Sequence, residues 1–132
     1  MLGVPVHAAS FIRERRIVLE TALLEHPRKL RLILIHELFH FVWTRLGNAL
    51  RRSFAGILER ERQGGARGEL GESAGTKKAS APWKVYVYES FCDTAAWMYA
   101  GVNKTPEFTL AAGWRNKRRA WFELYFVKPR KA

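Results

Sequence analysis

A long apolar segment interrupted by three polar residues constrains this chain more than any other feature. Between positions 32 and 43 every residue is apolar except His36, Glu37 and His40. Pro27 before this segment and Gly47 after it are residues typical of the two ends of a helix. The sequence therefore predicts one helix over residues 27–46, about 30 Å long. Because this helix has no polar face, we expect it to lie at the centre of its domain.

The three polar residues have the spacing of a metal site. His36 and His40 lie one helical turn apart, so both imidazoles can reach one Zn²⁺ ion. Glu37 points about 100° away from His36, beside the metal, where a general base can take a proton from a zinc-bound water. Burying these groups without partners would be unfavourable by several kcal/mol, and a metal compensates them. We therefore predict one zinc ion per chain and Glu37 as the catalytic base.

The pentapeptide His-Glu-Leu-Phe-His at residues 36–40 resembles the zincin metallopeptidase motif. The resemblance implies a zinc-dependent peptidase in which Glu37 activates the zinc-bound water for hydrolysis of a peptide bond. The metzincin subgroup is excluded, because Trp43 and Leu46 stand where that subgroup has glycine and histidine.

A second apolar helix, predicted over residues 83–100, offers a third zinc ligand. Most glutamates of the chain lie in arginine-rich segments, whereas Glu89 lies among aromatic and small residues. Asp93, the only aspartate, follows at i+4 and therefore shares a helix face with Glu89. A zinc-bound Glu89 would explain the pair if Asp93 accepts the outer N–H of a zinc-binding histidine. Sites completed instead by Cys92, or by Asp93 itself, remain open.

The Glu-x-x-x-Asp spacing downstream of the first motif resembles the gluzincin pattern. That resemblance implies that Glu89 is the third ligand, that Asp93 orients His36, and that Ala96 lets the two helices approach. Tyr86 lies three residues before Glu89 on the same helix face, and we predict it as the catalytic residue that stabilises the oxyanion.

The remaining segments complete a small α+β domain. Residues 6–12 and 16–23 predict an N-terminal β-hairpin. Residues 48–63 predict an amphipathic helix, 64–82 a flexible glycine-rich loop that could cover the site, and 114–127 a last helix. We expect a single zincin-like domain over residues 1–132, with the hairpin packed on the central helix and about three further helices. This organisation is similar to minimal gluzincins and to ImmA/IrrE-like peptidases.

Charge and cysteine content bear on partners and compartment. The chain has 23 Lys and Arg residues against 12 acidic residues, a formal net charge of +11. This charge favours acidic partners, so the expected peptide or protein substrate could be acidic. The single cysteine excludes an internal disulfide and indicates a reducing compartment. We expect a cytoplasmic protein without a membrane partner, since no signal peptide is recognisable and the central helix is too polar to span a bilayer.

An alternative function is a basic module that binds nucleic acid or a regulator and whose zinc site is structural or vestigial. A basic run flanked by tryptophans on the last helix is the feature behind it, since cations and aromatic rings serve single-stranded nucleic acid. The candidate residues are Arg115, Lys117, Arg118 and Arg119, with Trp114 and Trp121 as flanking aromatics.

Overall fold

The computed structural model describes residues 8–71, 73, 76, 81–102 and 104–126. Within these residues an antiparallel hairpin precedes four α-helices, which confirms the α+β class. The elements are β1 (Ala8–Phe11), β2 (Arg16–Leu19), a 3-10 helix (Thr21–Glu25), α1 (Pro27–Arg45), α2 (Asn48–Gln63), α3 (Trp83–Tyr99) and α4 (Ala112–Tyr125).

The hairpin forms where the sequence predicts it, but it is shorter. Ala8 pairs with Leu19 and Phe11 pairs with Arg16, so four residues of each strand are in register. The predicted second strand is wrong beyond Leu19, because the chain turns there into the 3-10 helix that leads to α1. Residues 6 and 7 of the predicted first strand lie outside the described residues. Both strands contact α1, so the hairpin is attached to the helix that carries the two histidines.

The most buried helix is α3, which corrects the predicted central position of α1. Nine residues of α3 between Tyr86 and Ala96 are buried, whereas no residue of α1 is, and Leu38 is 42% exposed. The reason is that α3 packs against three helices, while α1 packs against α3 and the hairpin. Among the described residues, no helix combines the length and apolarity needed to cross a membrane.

Aromatic side chains from α2, α3 and α4 form the centre of the core. Phe91 of α3 stacks on Phe122 of α4, with ring centroids 5.1 Å apart. Phe54 of α2 meets both rings edge to face, and Trp121 closes the cluster. All four side chains are buried. Such offset and edge-to-face arrangements are the favourable ones for aromatic pairs, so this cluster anchors α3 rigidly.

The glycine-rich segment after α2 is packed in its described part, so the prediction of a flexible loop is wrong there. Glu69, Leu70 and Ser73 are buried. The Glu69 carbonyl accepts hydrogen bonds from the backbone N–H groups of Thr109 and Leu110, at 2.8 and 3.0 Å. Residues 72, 74, 75 and 77–80 of the predicted loop lie outside the described residues.

Candidate metal centre and active site

The two histidines of α1 point toward the same carboxylate on α3. His36 and His40 lie one turn apart, with ring centroids at 5.0 Å, and their side chains are 18% and 19% exposed. His36 Nε2 lies 2.9 Å from Glu89 Oε1, and His40 Nε2 lies 3.7 Å from Glu89 Oε2. The structure thus brings together the three residues predicted as metal ligands, with one imidazole near each oxygen of the Glu89 carboxylate.

The protonation of Glu89 and His40 suits metal binding. Burial alone would raise the pKa of Glu89, but the hydrogen bond with His36 and the charges of both imidazoles lower it below its ordinary value. Glu89 is therefore ionised at neutral pH. Burial and the neighbouring His36 lower the pKa of His40, despite the opposing charge of Glu89. An ionised carboxylate and a neutral imidazole are the forms in which these groups bind zinc.

Asp93 holds the outer nitrogen of His36, as predicted. The Nδ1–H of His36 donates to Asp93 Oδ1 at 2.8 Å. This contact directs Nε2 toward Glu89 and sets the tautomer that a metal ligand needs. Burial opposes protonation of His36, yet the hydrogen bonds and charges of Asp93 and Glu89 raise its pKa to about 10. At neutral pH the metal-free His36 therefore also carries a proton on Nε2, which faces Glu89, and a metal would displace this proton on binding.

The second oxygen of Asp93 is held by a residue that the sequence did not identify. Asp93 Oδ2 accepts from the backbone N–H and the hydroxyl of Ser73, at 2.9 and 2.8 Å. Gly71 allows this close approach, since its φ is +152° and a Cβ there would lie 2.5 Å from Asp93 Cγ. No local sequence pattern marks Ser73, because its partner is 20 residues away.

Glu37 is held by the hairpin, in a second contact that sequence reasoning missed. The hydroxyl of Ser10, on β1, donates to Glu37 Oε1 and also lies 3.2 Å from the Glu37 carbonyl oxygen. The contact orients the carboxylate of the predicted base. Ser10 is the single hydroxyl residue of β1, but only the packing of the hairpin on α1 places it at the site.

Cys92 is the second candidate for a third ligand. Its Sγ and ring nitrogens of His36 and His40 all lie within 4.8 Å of one another. However, Cys92 is fully buried, and burial together with Glu89 and Asp93 raises the pKa of its thiol well above the ordinary value. In the metal-free site Glu89 is already ionised, whereas the thiol of Cys92 would have to lose its proton on binding zinc, so Glu89 is the more readily available donor.

A cavity of about 490 Å³ opens beside this cluster. His36, Glu37 and Asp93 line one side of it. Ala8 of β1 and Ala96 of α3 also line it, so the hairpin and both helices of the cluster meet at its wall. The volume falls within the range of small-ligand sites in proteins. Glu37 therefore faces a space in which a substrate can lie.

The structure does not bring Tyr86 to the site, so its prediction as a catalytic residue is wrong. Its side chain is buried, and its hydroxyl donates to Glu69 Oε2. Burial and the charge of Glu69 raise the pKa of Tyr86, which keeps the hydroxyl protonated. Three residues along a helix are about 60° short of a full turn, and this rotation directs Tyr86 into the core.

Arg118 is likewise wrong as a nucleic-acid contact, because it is fully buried. It donates to both carboxylate oxygens of Glu61, each at 2.7 Å, and to Thr94 Oγ1 at 3.1 Å. Its Nη2 lies 3.4 Å from Glu69 Oε1. Arg118 is therefore a structural ion-pair residue that joins α4 to α2.

The other basic residues of the run lie near the surface against tryptophans of the chain itself. Arg119 and Arg115 stack over Trp97, at 4.6 and 5.9 Å from the ring centroid. Lys117 lies 5.5 Å from the ring of Trp114. Trp121 is buried in the core and cannot stack on a base.

Comparisons with known protein families, with curated proteins and with solved structures found no match to this chain.

Proposed function

We propose that this protein is a zinc-dependent peptidase that hydrolyses peptide bonds. The observation that carries the proposal is the convergence of His36 Nε2 and His40 Nε2 on the carboxylate of Glu89, with Asp93 behind His36. Two imidazoles and one carboxylate form a donor set of catalytic zinc sites, in which a further position stays open for water. The ionised Glu89 and the neutral His40 fit that ion, and the ion would take the place of the proton that His36 Nε2 carries in the metal-free site.

In this mechanism His36, His40 and Glu89 would hold the metal, and Glu37 would move the protons. Bound there, Zn²⁺ supplies Lewis acidity that makes water a better nucleophile and a carbonyl a better electrophile. Glu37 accepts a proton from the attacking water and donates it to the leaving amine, as a general base and then a general acid. Ser10 keeps the Glu37 carboxylate oriented through its hydroxyl. Asp93 keeps His36 in the tautomer that leaves Nε2 available.

The substrate is an extended segment of a peptide or protein. Among the described residues β1 pairs only with β2, so its other edge has backbone groups open to an additional strand. Ser10, which contacts Glu37, belongs to this strand, and Ala8 lines the cavity. A peptide lying along β1 would thus pass beside the proposed base.

Metal content of three variants tests the ligand set. Wild type should bind one zinc ion per chain, and Glu89→Ala should lose it, because removal of a charged ligand leaves only two imidazoles. Cys92→Ser should retain the ion, since the thiol is a poor donor there. Metal would be measured by atomic absorption after dialysis, together with zinc-dependent cleavage of a mixed peptide library. Loss of zinc in Cys92→Ser with retention in Glu89→Ala would overturn the assignment of Glu89.

A second expected result concerns the hydrogen bond between Asp93 and His36. Asp93→Asn should weaken zinc affinity by about 10- to 100-fold, because partners of a ligating histidine fix its tautomer and raise its basicity. Affinity would be measured by competition with a chromogenic chelator. Glu107→Gln serves as the control, since this exposed carboxylate lies outside the ligand cluster and should leave zinc affinity unchanged. An unchanged affinity in Asp93→Asn would refute the orienting role.

The alternative, a basic binding module, has less support. It requires a run of accessible cations with aromatic rings free to stack, but Arg118 and Trp121 are buried. Arg115 and Arg119 already lie over Trp97. Peptide hydrolysis is therefore the function that we propose.

A further inference from the structure

The cavity beside Glu37 has an apolar interior. Leu32 and Ile33 of α1 line it, together with Val102 and Phe108 of the segment before α4. Leu70 lies in the same lining and is buried. Such walls can accept the methylene groups or backbone of a bound residue, because removing apolar surface from water is favourable.

Cations surround the same cavity. Arg28, Lys29 and Lys104 line it and are exposed. None of the three forms an ion pair with another residue in the part of the chain that the structure describes. Arg28 and Lys29 also lie in the first turn of α1, where no acidic residue is present and backbone N–H groups add positive potential.

Three carboxylates, those of Glu37, Asp93 and Glu107, also line the cavity. Asp93 faces the His36 imidazole at 2.8 Å, and Glu107 accepts from the Thr105 hydroxyl at 2.9 Å in a local turn. Among the described residues no carboxylate of the cavity forms an ion pair with Arg28, Lys29 or Lys104. The three unpaired cations are therefore available to an anionic ligand that enters beside Glu37.

We propose that this cavity binds a carboxylate of the substrate and so directs cleavage to a bond next to an acidic residue or near a free C-terminus. The proposal rests on the proposed peptidase function and names its substrate class. Arg28 and Lys29 lie at the start of α1 and Lys104 lies between α3 and α4, so positive charge from two separate segments borders the cavity and attracts a carboxylate within it. The apolar interior then holds the rest of the residue, while Glu37 lies at the cavity wall.

Binding of matched peptides, measured without turnover, tests this inference. The probes are alanine hexapeptides labelled with a neutral fluorophore, and each carries one Glu at a different position. A matched set has Gln in place of Glu. Both sets are made with a free and with an amidated C-terminus. Fluorescence anisotropy would follow binding to Glu37→Gln protein, with and without zinc, at low salt. The peptide with its carboxylate in the cavity should bind about fivefold to tenfold more tightly than the neutral counterpart.

Two triple variants separate the cavity from the overall charge of the protein. The cavity variant is Arg28→Gln, Lys29→Gln and Lys104→Gln, and it should bind charged and neutral peptides within about twofold of each other. The control is Arg45→Gln, Arg52→Gln and Lys84→Gln, which removes the same charge at exposed positions outside the cavity and should keep the preference. Circular dichroism would verify that both variants fold.

The outcomes distinguish this inference from the proposed function. If the tighter binding of charged peptides is lost only when Glu is replaced by Gln, the bound group is an acidic side chain. If it is lost only when the C-terminus is amidated, the bound group is the C-terminal carboxylate. Both results support the inference. A preference that survives in the cavity variant, or no preference in wild type, overturns it. Zinc-dependent hydrolysis without charge preference refutes only the cavity assignment. Charge-selective binding without hydrolysis by wild type refutes the peptidase and leaves the cavity assignment standing.

Discussion

Glu37→Gln is expected to lower the rate of peptide hydrolysis by about 10²- to 10⁴-fold, the range that general acid and base groups contribute. The amide keeps the size of the side chain and can still accept from Ser10, so the site should remain assembled. It cannot take a proton from water at neutral pH, and this alone should account for the loss of rate. The measurement is kcat/KM on a peptide cleaved by wild type, beside zinc content of the same preparation.

Zinc content shows whether the lower activity of Glu37→Gln comes from lost proton transfer or from lost metal. Among the described residues Glu37 forms no hydrogen bond or ion pair with Glu89 or with either histidine side chain, so Glu37→Gln should retain one zinc ion per chain. Glu25→Gln is the matched control, because this glutamate is exposed in the 3-10 helix before α1 and should keep both zinc and activity. Hydrolysis at the wild-type rate by Glu37→Gln would contradict the mechanism.

The relative placement of the proposed site residues within each helix was predictable from the sequence. His36 and His40, and likewise Glu89 and Asp93, are spaced by four residues, and helix geometry alone places each pair on one face. Chemistry predicted only that Asp93 accepts from one of the two proposed zinc-binding histidines, and the resemblance to gluzincins indicated His36, which the structure places at 2.8 Å from Asp93. These predictions depended on local periodicity, on matching of donors with acceptors and on that resemblance.

Contacts between distant segments were not predictable in the same way. Ser10 reaches Glu37 across 27 positions, and Arg118 reaches Glu61 across 57. Neither contact leaves a local pattern, because each depends on how elements pack in three dimensions. Arg118 in particular lies in a basic run, where an exposed side chain is the ordinary expectation.

The order of burial of the two apolar helices was also decided by packing. Both α1 and α3 lack a polar face, so periodicity could not determine which one lies deeper. The amphipathic faces of α2 and α4 both pack on α3, through Phe54 and Phe122 against Phe91. That arrangement leaves α1 at one side of the core, where the cavity and the two histidines of α1 are accessible.

Arg118→Met is expected to destabilise the protein by about 3–5 kcal/mol, the largest stability effect of any single substitution discussed. Methionine keeps much of the side-chain volume but removes the guanidinium that donates to both oxygens of Glu61. The Glu61 carboxylate is buried, and a buried charge that loses its partner is strongly unfavourable. Urea unfolding followed by circular dichroism measures the loss as a shift in midpoint.

Two further variants show whether the loss comes from the ion pair. Arg119→Met changes the neighbouring exposed arginine, which lies over Trp97, and should cost less than about 1 kcal/mol. Arg118→Met combined with Glu61→Met should recover part of the stability, because the carboxylate left without its partner is removed as well. Equal losses in Arg118→Met and Arg119→Met would refute the role of the buried pair. The Ser73 hydroxyl lies 2.8 Å from Asp93 Oδ2 and 3.2 Å from Glu69 Oε1, so it connects the Arg118 cluster to the carboxylate behind His36. The Arg118 variant should therefore also weaken zinc binding at His36, whereas the Arg119 variant should not.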